Sequence, residues 1–362
     1  MGKLFDKAQR AEAALDFEEA ERLFKLAARM DPKNLAIQHN LGGVLSSLSR
    51  LPEAEKAYRR ALALDPGSAR THYALSQVLM MQGRYRDAIP HFRRRHEVPK
   101  YNTNKPAFFE CPEWNGEDLA GRSLLIWPEQ GFGDELQYAR FAPILAERGA
   151  TVRLVCRPQV SRLFRRSLPG VEVYEASGRV EIPDCDFYVM GPDIVGLMDY
   201  TLETVPGAPY LKAAETVASS ARIGLVAAGS AAHGNDAYRS LNAADGLTLA
   251  AALGPTIGLD YAATGGKDFA DTADIIEGLD VVVTVDTAIA HLAGGMGKTV
   301  WLLLSRIDTD WRWGRGRERS TWYPSAEFES FSARIGSGVT PKLLIWSLFR
   351  PALMKSSGRK GR

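Results

Sequence analysis

The apolar positions change rhythm along the chain. Over roughly the first hundred residues they recur every three or four positions, the spacing of amphipathic helices. The segment FEEAERLFKLAARMDPKN (17–34) returns as LPEAEKAYRRALALDPGS (51–68), an offset of 34 residues. Ala20, Phe24, Ala27 and Pro32 become Ala54, Tyr58, Ala61 and Pro66, with Leu41 and Gly42 as a small-residue contact on the second unit's first helix. A third copy keeps Leu75, Ala88 and Phe92 but has Arg95 and Lys100 in place of the alanine and the proline. Small alanines let antiparallel helices approach, the aromatic fills the gap between units, and the proline stops the second helix.

From Ser123 onward, short β-branched and apolar runs alternate with helical periods. Strands are expected at 123–127, 151–156, 171–174 and 185–190, and again at 223–227, 256–260, 281–285 and 300–304. Helices are expected over 135–148, 160–167 and 243–253, with a capped helix carrying Asp271 and Thr272 ahead of the strand at 281. Strands separated by helices imply parallel, doubly wound sheets. The expected fold class is therefore α followed by α/β. The division is a repeat domain (1–100), a linker (101–122), a first Rossmann-like half (123–213), a second half (214–350) and a basic, disordered tail (351–362). An apolar helix at 341–349 is expected to close the fold.

Composition narrows the function classes. A formal net charge of +2 gives no global nucleic-acid signal. Cys111, Cys156 and Cys185 form neither a metal motif nor an evident disulfide framework, and the six histidines are scattered. A reducing, cytoplasmic setting is expected. The start MGKLFDKAQRAEAA lacks the apolar core of a signal peptide, and no run approaches the ~20 apolar residues of a membrane span.

The chemistry-bearing residues cluster where strands give way to helices. Val281–Val285 leads directly into Asp286 and Thr287 at the start of a helix that Gly294, Gly295 and Gly297 close. In a parallel sheet, ligands sit beyond such strand ends, and a helix N-terminus holds anions. The first strand runs into Gly131-Phe132-Gly133-Asp134, where glycines admit a ligand to the backbone. GFGDEL has neither the third glycine of a dinucleotide fingerprint nor the Gly-Lys-Ser/Thr of a Walker loop. Asp134 suits a helix cap, or a general base if its pKa is tuned. The loop after residue 227 offers Ser230, His233, Asn235 and Arg239, and an arginine there suits a diphosphate. His291 has no partner spaced for a hydrolase triad. Trp311, Trp313 and Trp322 lie among arginines as base-stacking or packing aromatics.

The 34-residue period is that of tetratricopeptide repeats. Their first helices would line a peptide groove near His39, Gly43, Tyr73, Gln77 and Met80; a structural spacer or dimerisation module is the alternative. So short an array is expected to dock on the next domain. Further on, WNGEDLAGRSLLIWPEQGFGDELQYARFAP, GSAAHGNDAYRS, DFADTADIIEGLDVVVTVDTAIAHLAGGMGKTVWLLL, DWRWG and WYPS follow in order. These blocks resemble the ADP-heptose:lipopolysaccharide heptosyltransferase family of GT-B glycosyltransferases. More closely, the chain resembles bacterial proteins that fuse tetratricopeptide repeats to such a domain.

The resemblance implies two facing Rossmann-like halves with the nucleotide-sugar donor held mainly by the second. It implies donor contacts at Asp286 and Thr287, phosphate charge met by Arg239, and Asp134 as general base toward an acceptor hydroxyl. His291 falls in the family's D-T-x-x-x-H-L pattern. The nucleotide sugar is a co-substrate; no resident cofactor or metal is expected, and the acceptor is expected to be a protein recruited by the repeats. Sugar, nucleobase and oligomeric state are not legible. The alternative is a non-catalytic interaction scaffold with a degenerate nucleotide-sugar-binding domain.

Overall fold

The computed structural model describes residues 2–99, 109–129, 131–178, 181–217, 219–231, 236–305, 309–314 and 316–331. The expected helix at 341–349 and the basic tail lie outside these residues. The chain falls into two compact units built from discontinuous segments. One comprises 1–156, 170–206 and 310–317, the other 157–169, 207–309 and 318–362.

The first unit opens with three helical pairs: α1 (Gly2–Ala13) with α2 (Phe17–Met30), α3 (Leu35–Ser47) with α4 (Leu51–Leu64), and α5 (Ala69–Met81) with α6 (Tyr85–Phe92). Asp16 and Asn34 cap α2 and α3 by accepting the backbone N–H groups of Glu19 and Ile37. The repeating alanines Ala20, Ala27, Ala54 and Ala61 are fully buried. At Gly42 a Cβ would lie 2.8 Å from the Tyr58 ring, so only glycine lets α3 and α4 approach this closely.

A four-stranded parallel sheet follows, β1 (Ser123–Trp127), β2 (Thr151–Cys156), β3 (Val171–Glu175) and β4 (Phe187–Met190), in the order β3-β2-β1-β4. The expected helix at 135–148 is two helices, α7 (Phe132–Tyr138) and α8 (Phe141–Glu147). Pro143 explains the break: it has no N–H for the carbonyl of Ala139, so a single helix cannot run through. The described part of the expected linker is ordered against β4. Trp114 N–H donates to the Tyr188 carbonyl (2.8 Å), Tyr188 N–H to Pro112 (3.0 Å), and Phe109 stacks on the Tyr188 ring. Phe109 and Trp127 thereby pack around a core of Leu125, Val155 and Tyr188.

The helical array docks on this sheet's edge elements. After β4 the chain turns into α10 (Ile194–Leu197), which lies so close to α6 that a Cβ on Gly196 would stand 2.6 Å from the Tyr85 carbonyl. Helix α9 (Pro158–Ser167), between β2 and β3, belongs to the second unit.

The second unit holds a five-stranded parallel sheet of β5 (Ile223–Val226), β6 (Thr256–Gly258), β7 (Val281–Val285), β8 (Thr299–Ser305) and β9 (Ala326–Phe331), in the order β6-β5-β7-β8-β9. Strand β9 is formed by AEFESF, where no strand was expected. It pairs with β8 from Val300↔Ala326 to Ser305↔Phe331. Helices α11 (Asp236–Arg239), α12 (Ala243–Leu253), α13 (Tyr261–Thr264), α14 (Phe269–Glu277) and α15 (Ala288–Gly295) complete it. Strand β7 is buried along its whole length, as its β-branched run requires. Leu249, Leu253 and Val283 form the core between sheet and helix, with Leu225 and Trp301 packed against them. Asp268, three residues before the expected Asp271, caps α14 through the N–H groups of Ala270 and Asp271.

Candidate functional site

Each sheet reverses its winding direction once. In the first unit the chain steps from β1 to β2 to β3, then returns to β4 on the other side of β1; in the second, β6 and β7 flank β5. The crevice beyond the strand ends at such a reversal is where open α/β sheets bind ligands.

At the β5/β7 reversal the structure brings together residues from two loops. Thr287 is the N-cap of α15: its Oγ1 accepts from Ile289 N–H and lies 3.1 Å from Thr284 Oγ1. Asp286 stands between the end of β7 and this cap. Arg239, the last residue of α11 after β5, reaches across and donates through Nη1 to the Asp286 carbonyl (3.0 Å), while its Nε pairs with Asp236 (3.3 Å). The guanidinium lies over Gly229, where a Cβ would meet Nη2 at 2.6 Å and Cζ at 2.9 Å. Glycine there leaves room for the guanidinium; its backbone conformation does not call for it. Gly229 N–H donates to Ser240 Oγ (2.8 Å), which in turn donates to Asp236 (2.7 Å), so the arginine's support is itself fixed. The corner offers a helix N-terminus and a fixed guanidinium, a combination suited to phosphate oxygens. Ser230 is exposed on the same loop. Asn235 and His233 lie outside the described residues.

His291 is one helical turn into α15 and buried. Its Nδ1 is 2.9 Å from the Tyr323 hydroxyl, and the rings meet in a T-shaped, edge-on contact. Its setting is that of a packed, hydrogen-bonded side chain.

The β1/β4 reversal is furnished differently. Asp134 caps its own helix: Gly131 is the N-cap of α7, and Gly131 N–H donates to Asp134 Oδ2 (3.0 Å). Asp134 Oδ1 accepts from Arg312 Nη2, and the same guanidinium donates to the Tyr138 hydroxyl (2.9 Å) and to Asp310 (2.7 Å). Burial pushes the Asp134 carboxyl up from its ordinary value, with Arg312 pulling the other way. The anion at this helix start is thus supplied by Asp134 itself. Gly133 follows in the first turn, half-buried.

Two residues before Gly131, and three beyond β4, the sequence carries a second group of charges that pattern reading did not single out. Arg95 is fully buried, and its fork grips Glu129 through Nε (2.7 Å) and Nη2 (2.5 Å). Its Nη1 stands 2.9 Å from Asp193 Oδ1, and Arg93 Nε is 3.1 Å from Asp193 Oδ2. Burial raises the Asp193 carboxyl against the pull of Arg95 and Arg93. The signal was present in the repeat: Arg95 stands 34 residues after Ala61 and 68 after Ala27. An arginine at a position built for a buried alanine requires a carboxylate partner.

Along the helical pairs, His39 on α3 bonds through Nδ1 to Thr71 Oγ1 (3.0 Å) and meets the Tyr58 ring edge-on. Burial, with Arg70 nearby, holds its pKa down to about 4. Tyr73 and Gln77, one turn apart on α5, are half-buried, and Tyr73 stacks on Phe92. Trp311, Trp313 and Trp322 are all buried, which removes them as an exposed base-stacking surface.

Residues 33–100 match the tetratricopeptide repeat family. The match spans the second and third helical pairs, α3 to α6, so the N-terminal region is tetratricopeptide-repeat-like. Such repeats indicate protein partners. A 70-residue stretch is 37% identical to protein FlbA of Caulobacter vibrioides, covering 18% of this chain and 12% of that protein. Among solved structures, MamA AMB-1 is 27% identical over 26% of this chain and about half (51%) of its own, with a TM-score of 0.25. The type III secretion chaperone SycD of Yersinia enterocolitica, in complex with a peptide of the translocator YopD, is 16% identical over 28% of this chain and 80% of its own, with a TM-score of 0.27. Among the described residues no helix is long and apolar enough to cross a membrane. The tetratricopeptide repeats are thus followed by a parallel-sheet α/β region, and Arg95 is a repeat residue committed to that region's first sheet.

Proposed function

We propose that the chain is a GT-B-type glycosyltransferase that takes its sugar from a nucleotide-sugar donor and its acceptor from a protein engaged by the repeats. The observation that carries the reading is the convergence of Arg239, Gly229 and the Thr287-capped start of α15 at the β5/β7 reversal. Arg239 and the helix N-terminus stabilise the departing diphosphate as its charge develops. In the other unit, Asp134 takes the proton of the acceptor hydroxyl. The nucleotide sugar is a co-substrate, and charge stabilisation by the protein makes a metal unnecessary.

Calorimetry with a panel of nucleoside diphosphates and nucleotide sugars tests this. Wild-type protein is expected to bind at least one of them, and Asp286→Ala to bind it more weakly; a chain that binds none is not a nucleotide-sugar enzyme. Asp134→Ala is expected to keep nucleotide affinity and lose transfer. The repeat match alone favours a second reading, a non-catalytic interaction scaffold, and absence of nucleotide binding would leave that reading in place. Acceptor recruitment is tested with His39→Ala, Tyr73→Ala and Gln77→Ala, expected to slow transfer to a protein acceptor. Deleting the repeats is unsuitable, because it strips Arg95 from Glu129 and Asp193.

A further inference from the structure

The Asp-Trp-Arg-Trp segment at 310–313 follows β8 in sequence yet belongs to the first unit, where Trp311 and Trp313 are buried and the Trp311 ring meets Tyr85 edge-on. These aromatic anchors hold Arg312 in place. Its guanidinium is 5.0 Å from the centre of the Trp311 ring and 5.4 Å from that of Tyr138, and its side chain is only 9% exposed. An arginine held so rigidly, with one fork nitrogen on Asp134 and another on Asp310, is more than a surface pairing.

We infer that Arg312 is the positioning residue of Asp134, fixing one rotamer of its carboxylate and supplying its counter-charge. The catalytic meaning rests on the glycosyltransferase reading; the pairing itself does not.

The groups facing Asp134 are few and pull in opposite directions. Gly131 N–H and Arg312 stabilise the carboxylate, whereas Asp310 and Glu129 oppose it as like charges and burial opposes it most. Glu129 is itself neutralised by Arg95, and Asp193, across the same crevice, by Arg95 and Arg93. Arg312 is therefore the one cationic side chain bonded to Asp134 among the described residues. A general base acts only when ionised, so its working range begins above its pKa. Without Arg312, burial and the two neighbouring carboxylates act against Gly131 N–H alone. The Asp134 pKa rises and the acid limb of turnover moves to higher pH.

The test follows the Asp134 carboxyl carbon by NMR in the full-length protein, assigned by its loss in Asp134→Asn. In Arg312→Gln the titration midpoint is expected to rise by about one pH unit, a tenfold change in proton affinity. Asp310→Asn guards against a misfolded first variant, because Asp310 lies at the rim and its loss both removes a like charge and frees the Arg312 fork. It is expected to lower the midpoint. An unchanged midpoint in either folded variant overturns the assignment. Turnover gives the separate readout: Arg312→Gln is expected to lose about tenfold at the acid limb and to recover at higher pH. If no variant, wild type included, transfers sugar while the midpoints move as stated, the transferase reading fails and the Arg312–Asp134 coupling stands. If transfer persists and the midpoints do not move, the reverse holds.

Discussion

Beyond the ends of β1 and β4, the crevice is filled by the chain's own charges: Arg95 bound to Glu129 and Asp193, and Arg312 bound to Asp134. Beyond the ends of β5 and β7, the same topological position holds a helix start, a glycine and one guanidinium resting on a backbone carbonyl. The topology is shared, so it cannot decide which crevice takes a ligand; the side chains do. In the first unit the buried Glu129 and Asp193 meet Arg95 and Asp134 meets Arg312, and the network ties the repeats to the sheet. In the second, the Arg239 guanidinium donates to the neutral Asp286 carbonyl and meets one carboxylate, Asp236, at 3.3 Å.

The comparison breaks most visibly at Arg95. Arg95→Ala restores the alanine of the other repeats but leaves Glu129 and Asp193 buried without their counter-charge. It is expected to destabilise the first unit by about 3–5 kcal/mol. Urea unfolding of the intact protein checks this, and the matching change in the other crevice, Arg239→Ala, is expected to cost under about 2 kcal/mol. Equal losses would mean that both arginines serve the fold.

Gly229→Ala sharpens the contrast from the other side. Its Cβ displaces the far end of a flexible side chain, so the fold is expected to tolerate it while the guanidinium shifts. Nucleoside diphosphate affinity, read by calorimetry, is expected to fall about tenfold, or ~1.4 kcal/mol. A smaller loss is expected at the helix start. Thr287→Ala removes the cap of α15 at a cost of about 1 kcal/mol, which Thr287→Ser restores in a thermal melt.

The repeats also carry a pH dependence of their own. His39 and His91 are held down to about 4 from 6.5, by burial first, then by Arg70 for His39 and by His72 for His91. Between those values the unfolded chain binds protons that the folded chain refuses. The contribution of these two histidines to stability is therefore full above pH 6.5 and declines as pH falls toward 4. His39→Gln is expected to flatten part of that decline in unfolding midpoints measured between pH 7 and 4.

Much of the fold was legible because its signals are local. The 34-residue offset, the fully buried run of β7 and the glycine-closed α15 are each visible within a short window. The break between α7 and α8 was legible in principle from Pro143 and was overridden by a continuous apolar period. Strand β9 was missed because AEFESF alternates too briefly to stand against the neighbouring turns. The β5/β7 corner could be anticipated from Asp286, Thr287 and Arg239, since a strand end and a loop arginine are readable separately. The Arg95–Glu129–Asp193 network could not be assembled that way. Its members are 34 and 64 residues apart in the order Arg95, Glu129, Asp193, and only the fold brings them together. What the sequence does show is the misfit: an arginine in an alanine position.

The central claim is that the second unit's crevice takes an anionic ligand and the first unit's does not. The most direct measurement is calorimetric titration of one nucleoside diphosphate, chosen as the tightest for wild type, into wild type, Arg239→Ala and Asp134→Ala. Binding to wild type is expected, with a loss of tenfold or more, about 1.4 kcal/mol, in Arg239→Ala, and wild-type affinity in Asp134→Ala. Wild-type affinity in Arg239→Ala together with lost affinity in Asp134→Ala would place the ligand at the β1/β4 crevice and contradict it.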